Sequence, residues 1–164
     1  MKQIEMTELD RLRHSSAHIM AAAVCRIYND VQLDIGPPTE DGFYYDFEMN
    51  ERISTEDFSK IEHAMQEIIA EDHPFTCQEV SREQATEMLK GQTYKLERLA
   101  DIPEGDPITF FTCGEFTDLC RGPHVESTGK VKAFQLVNVA GSYYRGKETN
   151  PMLQRLYGTA FSNP

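Results

Sequence analysis

The sequence lacks tryptophan, contains only four cysteines and has no apolar stretch long enough to cross a bilayer. The cysteines form no CxxC pair, and a chain of 164 residues is neither short nor cysteine-rich, so a disulfide scaffold is not expected. The first eight residues, MKQIEMTE, lack the apolar core of a signal peptide. With 40% hydrophobic residues, the chain is expected to fold as a single globular domain, residues 1–164. The lack of a signal peptide and of a bilayer-spanning stretch predicts a cytoplasmic protein without a membrane partner.

Basic residues are also scarce, because 16 Lys and Arg stand against 27 Asp and Glu, which gives a net charge of −11. A protein that coats nucleic acid is basic, since phosphate contacts supply most of its non-specific affinity. This chain is therefore not expected to grip a duplex over its whole surface. From Glu115 onward, however, six basic residues outnumber four acidic ones, so a local phosphate contact in the C-terminal third remains open.

Hydrophobic periodicity predicts an α+β fold in which helices pack on an antiparallel sheet. Thr7 and Asp10 resemble a capping box that begins the first helix. The segment 94–99 fits a helix and a strand equally well. Strands and helices do not alternate regularly, which argues against parallel βαβ units. Helices are predicted over 7–29, 54–72 and 81–90, and strands over 31–35, 43–47, 75–80, 108–112, 134–140 and 153–160.

Two histidines, His14 and His18, lie one turn apart on the first predicted helix, so both imidazoles face the same side. The opposite side carries the apolar stripe, whereas the small residues Ala21 and Cys25 flank the histidines. A solvent-exposed face would normally carry Lys and Glu. The pattern therefore predicts that the two histidines line a pocket that something approaches closely.

A second cluster of reactive side chains lies in the segment DLCRGPH, residues 118–124. Its Gly-Pro pair forces a turn, so Cys120 and His124 can point at one centre. With the two helical histidines they form a ligand set suited to Zn²⁺, and equally a set of acid–base groups that titrate near neutral pH. Each motif alone is weak, because a buried cysteine and a turn aspartate are ordinary alternatives. His63 and His73 are assigned no role.

Five motifs follow one another along the chain: HSSAH, IGPPTEDGFYYDF, DLCRGPH, FQLVNVAGSYYRG and MLQRLYGTAF. Over about residues 12–162 they resemble the editing domain of bacterial-type threonyl-tRNA synthetases. This second additional domain is shared with alanyl-tRNA synthetase and with free-standing editing relatives. In such synthetases the last motif directly precedes the aminoacylation domain. The resemblance therefore implies an excised N-terminal fragment of a larger synthetase, without the ubiquitin-like module that commonly comes first.

The resemblance implies hydrolytic proofreading of mischarged Ser-tRNA(Thr), because a synthetic pocket cannot reject a substrate that merely lacks one methyl group by packing alone. His14 and Lys95 are expected to activate a water molecule, and Asp118 to hold the serine ammonium or to orient Lys95. A covalent role for the thiol is not expected, since the aminoacyl ester is already activated. Matching the motifs position by position assigns catalytic roles to His14, Lys95, Asp118, Cys120 and His124, and substrate contacts to His18, Gly36, Tyr45 and Arg121.

The implied partners are the 3′ end of tRNA(Thr) carrying serine and the aminoacylation and anticodon-binding domains of a parent synthetase. The acidic domain by itself is expected to bind tRNA weakly. No cofactor is expected, but alanine-type relatives hold zinc with the same ligand set, so Zn²⁺ on His14, His18, Cys120 and His124 is the alternative. Three other functions stay open: a free-standing zinc-dependent Ala/Ser-tRNA trans-editing protein, a non-catalytic zinc module that docks tRNA, and a metal-dependent hydrolase of small esters.

Overall fold

The structure, a computed structural model, describes residues 7–161. The predicted absence of a signal segment and the outer limits of the predicted 1–164 domain concern residues outside this range. Within residues 7–161, no helix is both long enough and apolar enough to span a membrane. The helices are α1 (Glu8–Ile27), α2 (Phe58–Glu71), α3 (Arg82–Met88) and α4 (Thr93–Ala100), and the strands are β1 (Gln32–Leu33), β2 (Phe43–Glu48), β3 (Thr76–Val80), β4 (Ile108–Cys113), β5 (Phe116–Leu119), β6 (Ala133–Tyr143) and β7 (Met152–Phe161).

The strands form two antiparallel sheets, one in the order β1-β2-β7-β6 and one in the order β3-β4-β5. The α+β class is confirmed, but the expectation of one sheet is wrong. Residues 116–119, for which no strand is predicted, pair with β4 after a tight turn in which Gly114 has a φ of +61°. Because β3 and β5 pair with the two sides of β4, β4 is the central strand of this sheet. Asp118 consequently lies on a strand, opposite Phe111.

Helix α1 begins as predicted, because Thr7 accepts the Asp10 backbone N–H and Asp10 accepts the Thr7 backbone N–H. The expectation of one apolar side is wrong, since every residue from 12 to 24 is buried. The helix packs against α2 and against β2 and β7, so more than one side is covered. Ala21 belongs to this hydrophobic core. The small residues beside the histidines therefore let neighbouring protein, rather than a ligand, come close.

Helix α4 connects the two sheets and resolves the ambiguity of segment 94–99. Arg98 makes a bidentate ion pair with Asp34, beside β1, at 2.8 and 3.0 Å. Leu99 instead packs in the apolar cluster formed by α3, β3 and β4. The helix is thus held on both sides, and its buried residue Lys95 lies where the two sheets meet.

Candidate active site

The two sequence clusters converge in space. The possible ligand atoms of His14, His18, Cys120 and His124 all lie within 4.8 Å of one another. The two halves come from α1 and from the segment that follows β5, more than 100 positions apart in the chain. The prediction that the helical histidines meet the cysteine and histidine of the Gly-Pro turn is therefore confirmed in its geometry.

Two hydrogen bonds fasten this turn to α1. His14 Nδ1 lies 3.2 Å from the carbonyl oxygen of Pro123, and the Val125 backbone N–H donates to Ser15 Oγ at 2.9 Å. A carbonyl oxygen can only accept, so Nδ1 of His14 carries the proton. Its Nε2 atom is left with a lone pair, which faces Cys120 Sγ at 3.4 Å.

Asp118 is the electrostatic centre of the site. Its Oδ1 atom lies 2.8 Å from Lys95 Nζ, and its Oδ2 atom accepts a 2.6 Å hydrogen bond from the Tyr45 hydroxyl. His18 Nδ1 lies 3.4 Å from the same Oδ2. Both charged side chains are almost completely buried, and a buried carboxylate is tolerated when it is paired and hydrogen-bonded in this way.

Burial controls protonation around this ion pair. It lowers the pKa of His14 and lowers that of His18 well below its usual range, so both imidazoles are neutral at neutral pH. Burial also raises the pKa of the Cys120 thiol to about 12, and the nearby Asp118 carboxylate adds to this effect. The pKa of Tyr45 rises for the same two reasons, which keeps its hydroxyl a donor.

A cavity of about 410 Å³ opens onto this cluster. Its volume is in the range of small-molecule sites. Its remaining walls are mainly apolar, and Arg98 and Arg121 also line it. The site residues that line it are His14, His18, Lys95, Asp118 and Cys120, and the apolar wall includes Ile35, Pro37, Pro38, Ile102, Pro107 and Leu119.

The predicted substrate contacts occupy different positions. Gly36 lines the cavity, and any Cβ added there would meet the Tyr45 ring at 2.2 Å, so only glycine lets the two approach. Tyr45 itself is fully buried, does not line the cavity and reaches Asp118 instead, so its contact with the substrate stays a prediction. Arg121 is exposed where it meets the cavity.

Outside the cavity lining, His124 packs between two rings, with centroids 4.4 Å from His14 and 4.7 Å from Phe75. Burial and the two neighbouring histidines lower its pKa. The imidazoles of His63 and His73 lie beside the carboxylates of Glu67 and Glu71, away from this cluster, so neither belongs to the site.

Sequence reasoning missed Ser15, which is fully buried and contacts His124. The sequence pattern does not distinguish Ser15 from the adjacent Ser16, whose hydroxyl donates to the Leu12 carbonyl oxygen within α1. Which serine meets the distant turn depends on how α1 rotates in the core. That rotation is set by packing on several sides, which a pattern on one helix does not encode.

Acid should destabilise this protein through the buried histidines. The unfolded chain protonates histidine near pH 6.5, whereas burial lowers the pKa values of His14, His18 and His124 in the fold. The unfolded state therefore binds more protons below pH 6.5. The free energy of unfolding should be highest above that pH and fall towards pH 5.5, by up to about 1.4 kcal/mol per pH unit for each histidine.

Urea unfolding at pH 7.5 and 5.5 measures this loss. The variant H124N should show a smaller loss than the wild type, because one buried titrating ring is gone. The exposed His63 offers the matched control, and H63N should lose as much stability as the wild type. An undiminished loss in H124N would contradict the assignment.

Comparisons with known proteins point to one kind of relative. Residues 108–157 match the family model described as "Threonyl and Alanyl tRNA synthetase second additional domain". The chain is 53% identical over 154 residues to a threonine–tRNA ligase of Carboxydothermus hydrogenoformans, 52% over 153 residues to that of Staphylococcus epidermidis, and 51% over 155 residues to that of Acetivibrio thermocellus. Each match covers 93% of this chain, which spans only 24% of each relative's length. The chain is thus similar to about a quarter of a threonine–tRNA ligase, and its residues 108–157 match the second additional domain of threonyl and alanyl tRNA synthetases.

Proposed function

We propose that this chain hydrolyses the ester bond of serine mischarged on tRNA(Thr), as the proofreading domain of a threonine–tRNA ligase. The observation that carries the proposal is the cavity lined by a neutral histidine, a buried lysine and a buried aspartate, contributed by α1, α4 and β5. Similarity supports the substrate class, since the relatives are named threonine–tRNA ligases. A cytoplasmic location follows from the same proposal.

The ester needs a positioned water molecule, a proton acceptor and a cation near the developing oxyanion. His14 Nε2 bears the lone pair, exchanges its 3.4 Å contact with the Cys120 thiol for the water, and takes a proton from the water as the water oxygen attacks the ester carbon. Lys95 faces the negative charge that develops on the carbonyl oxygen. When the tetrahedral intermediate collapses, the ribose oxygen leaves and receives the proton from His14, which releases free serine and tRNA.

Asp118 acts by orienting Lys95. Both of its oxygens are already engaged, one by Lys95 at 2.8 Å and the other by Tyr45 at 2.6 Å. Because Asp118 is only 2% exposed, the surrounding side chains also leave little room for a serine ammonium beside it. The contacts therefore favour the positioning role of Asp118 over direct binding of the substrate amine. Tyr45 helps to hold the same carboxylate through the hydrogen bond from its hydroxyl.

Cys120 takes no covalent part in this mechanism. With a pKa of about 12, its thiol stays protonated at neutral pH, whereas a nucleophilic cysteine works as the thiolate. The sulfur also accepts the Gly122 backbone N–H at 3.2 Å. Cys120 and His18 instead shape the wall against which the seryl group and the terminal ribose are expected to lie, and His124 supports this wall from outside the cavity lining.

We propose that the reaction runs without a metal. The donor set has the composition of a zinc site, and His14, His18, Cys120 and His124 would hold the ion, which would polarise the ester carbonyl. One feature opposes such binding, because the Lys95 ammonium already lines the same cavity and repels a second cation.

The substrate is expected to enter through its single-stranded end. A net charge of −11 does not favour binding along a tRNA duplex, so the main grip on tRNA would come from the aminoacylation and anticodon-binding domains of a parent ligase. At the cavity itself, exposed Arg121 is placed to meet a phosphate of the terminal nucleotides.

Single-turnover deacylation with the chain in excess tests the proposal. Ser-tRNA(Thr) should be hydrolysed faster than in buffer, with Thr-tRNA(Thr) and Ser-tRNA(Ala) turned over more slowly, and prior treatment with EDTA should leave the rate unchanged. A preference for Ser-tRNA(Ala) together with EDTA sensitivity would favour the zinc-dependent trans-editing alternative. Background rates on all three substrates would refute catalysis.

A further inference from the structure

Ser15 links the two halves of the site. Its side chain is completely buried, and its Oγ atom has two hydrogen-bond partners among residues 7–161. The Val125 backbone N–H donates to Oγ at 2.9 Å, and His124 Nδ1 lies 3.0 Å away. The direction of the first bond is fixed, since an N–H can only donate. The direction of the second depends on the proton of the hydroxyl.

The hydroxyl proton has one acceptor available. If His124 carried its proton on Nδ1, Ser15 Oγ would accept two hydrogen bonds and its own proton would be buried without a partner. A buried unsatisfied donor is strongly disfavoured. We infer that Ser15 donates to His124 Nδ1 and thereby holds His124 in the tautomer that carries its proton on Nε2.

This assignment gives a direction to every hydrogen bond in the cluster. His124 Nε2–H donates to Cys120 Sγ at 3.5 Å, and the Cys120 S–H donates to His14 Nε2 at 3.4 Å. His14 Nδ1–H then donates to Pro123 O. The chain of donors begins at the Val125 N–H and ends at the Pro123 carbonyl, so backbone groups two residues apart set both of its ends.

Ser15 is therefore a positioning residue. It acts through His124 and Cys120 on His14, whose Nε2 it helps keep as a hydrogen-bond acceptor. For the same reason it opposes zinc, because a metal-bound His124 would have to present an unprotonated Nε2. The catalytic consequence rests on the proposed function, whereas the tautomer assignment stands on the contacts alone.

Long-range ¹⁵N–¹H NMR of the histidine rings tests the assignment without substrate. In the wild type, His14 should show a protonated Nδ1 and His124 a protonated Nε2, two opposite tautomers in one site. Detection of a proton on Nδ1 of His124 would overturn the inference. This comparison needs no variant, so it holds even if substitutions at position 15 impair folding.

Substitutions at position 15 provide a second test of the assignment. S15A should lower the Nε2–H population of His124, and S15T, which keeps the hydroxyl, should restore it. S16A is the matched control, because Ser16 is equally buried but bonds only within α1. Ring ¹⁵N shifts of His124 that are the same in folded S15A and in the wild type would also overturn the inference.

Activity separates this inference from the proposed function. S15A should lower kcat for Ser-tRNA(Thr) by roughly tenfold with little change in KM, since the substrate walls remain intact. If the tautomers are as assigned and the wild type does not deacylate, the proposed function fails and the assignment of Ser15 stands. If deacylation is present and His124 is protonated on Nδ1, the proposed function stands and the assignment of Ser15 fails.

Discussion

Replacing His14 with alanine should reduce the single-turnover rate of Ser-tRNA(Thr) hydrolysis by about 100-fold or more. His14 is the one imidazole in the cavity lining whose Nδ1 is committed to a backbone carbonyl, which leaves Nε2 as an acceptor. Burial lowers its pKa, so it is in the basic form at neutral pH. Removing a positioned general base typically costs a factor of 10² to 10⁴.

The control is H63A, which removes an exposed histidine on α2 and should leave the rate unchanged. C120A provides a second comparison within the site. Because the thiol is protonated and takes no covalent part, C120A should keep far more activity than H14A. A rate for H14A within threefold of the wild type would exclude His14 as the base, and a C120A variant as inactive as H14A would contradict the absence of a covalent role for Cys120.

Much of the framework could be predicted because its signals are local. The capping box of Thr7 and Asp10, the second helix and the aromatic strand β2 each follow from residues close in sequence. The convergence of His14 with Cys120 was also predictable, since a helical i, i+4 pair and a Gly-Pro turn each restrict where their side chains point. These elements could be identified without knowing how the helices and sheets pack together.

The rest depends on tertiary packing. Segment 94–99 has no decisive period, and it becomes a helix in which Lys95 faces inward because Arg98 pairs with Asp34 on one sheet while Leu99 packs on the other. Residues 116–119 form β5 only because β4 offers a free edge. Resemblance to a family assigned Lys95 its place beside Asp118, which no pattern in this sequence alone could have done.

The site thus lies at a junction that neither sheet forms alone. The first sheet supplies Tyr45, the second supplies Asp118, and α4 brings Lys95 between them. A buried ion pair at such a junction is poor evidence for stability in itself, since desolvation can exceed the attraction between the charges. Its value here is orientation, because Asp118 holds the ammonium group at the cavity wall.

Breaking this pair from one side should therefore be the most damaging single change to stability. K95M leaves the Asp118 carboxylate buried without its cation, which is expected to lower the free energy of unfolding by about 3–5 kcal/mol. The double variant K95M/D118N removes both charges, and the asparagine oxygen can still accept the Tyr45 hydroxyl. The double variant should recover a large part of the lost stability, but neither K95M nor the double variant should hydrolyse Ser-tRNA(Thr).

Urea unfolding at pH 7.5 distinguishes this coupling from simple loss of packing. If Lys95 contributed only through its aliphatic chain, K95M would be nearly neutral and the second substitution would add a further loss. The matched control is D101N at the end of α4, which removes the partner of Arg145 from an exposed ion pair and should cost less than about 1 kcal/mol. A double variant no more stable than K95M would mean that the Asp118 charge is not stabilised by Lys95, and the orienting role of this carboxylate would have to be abandoned.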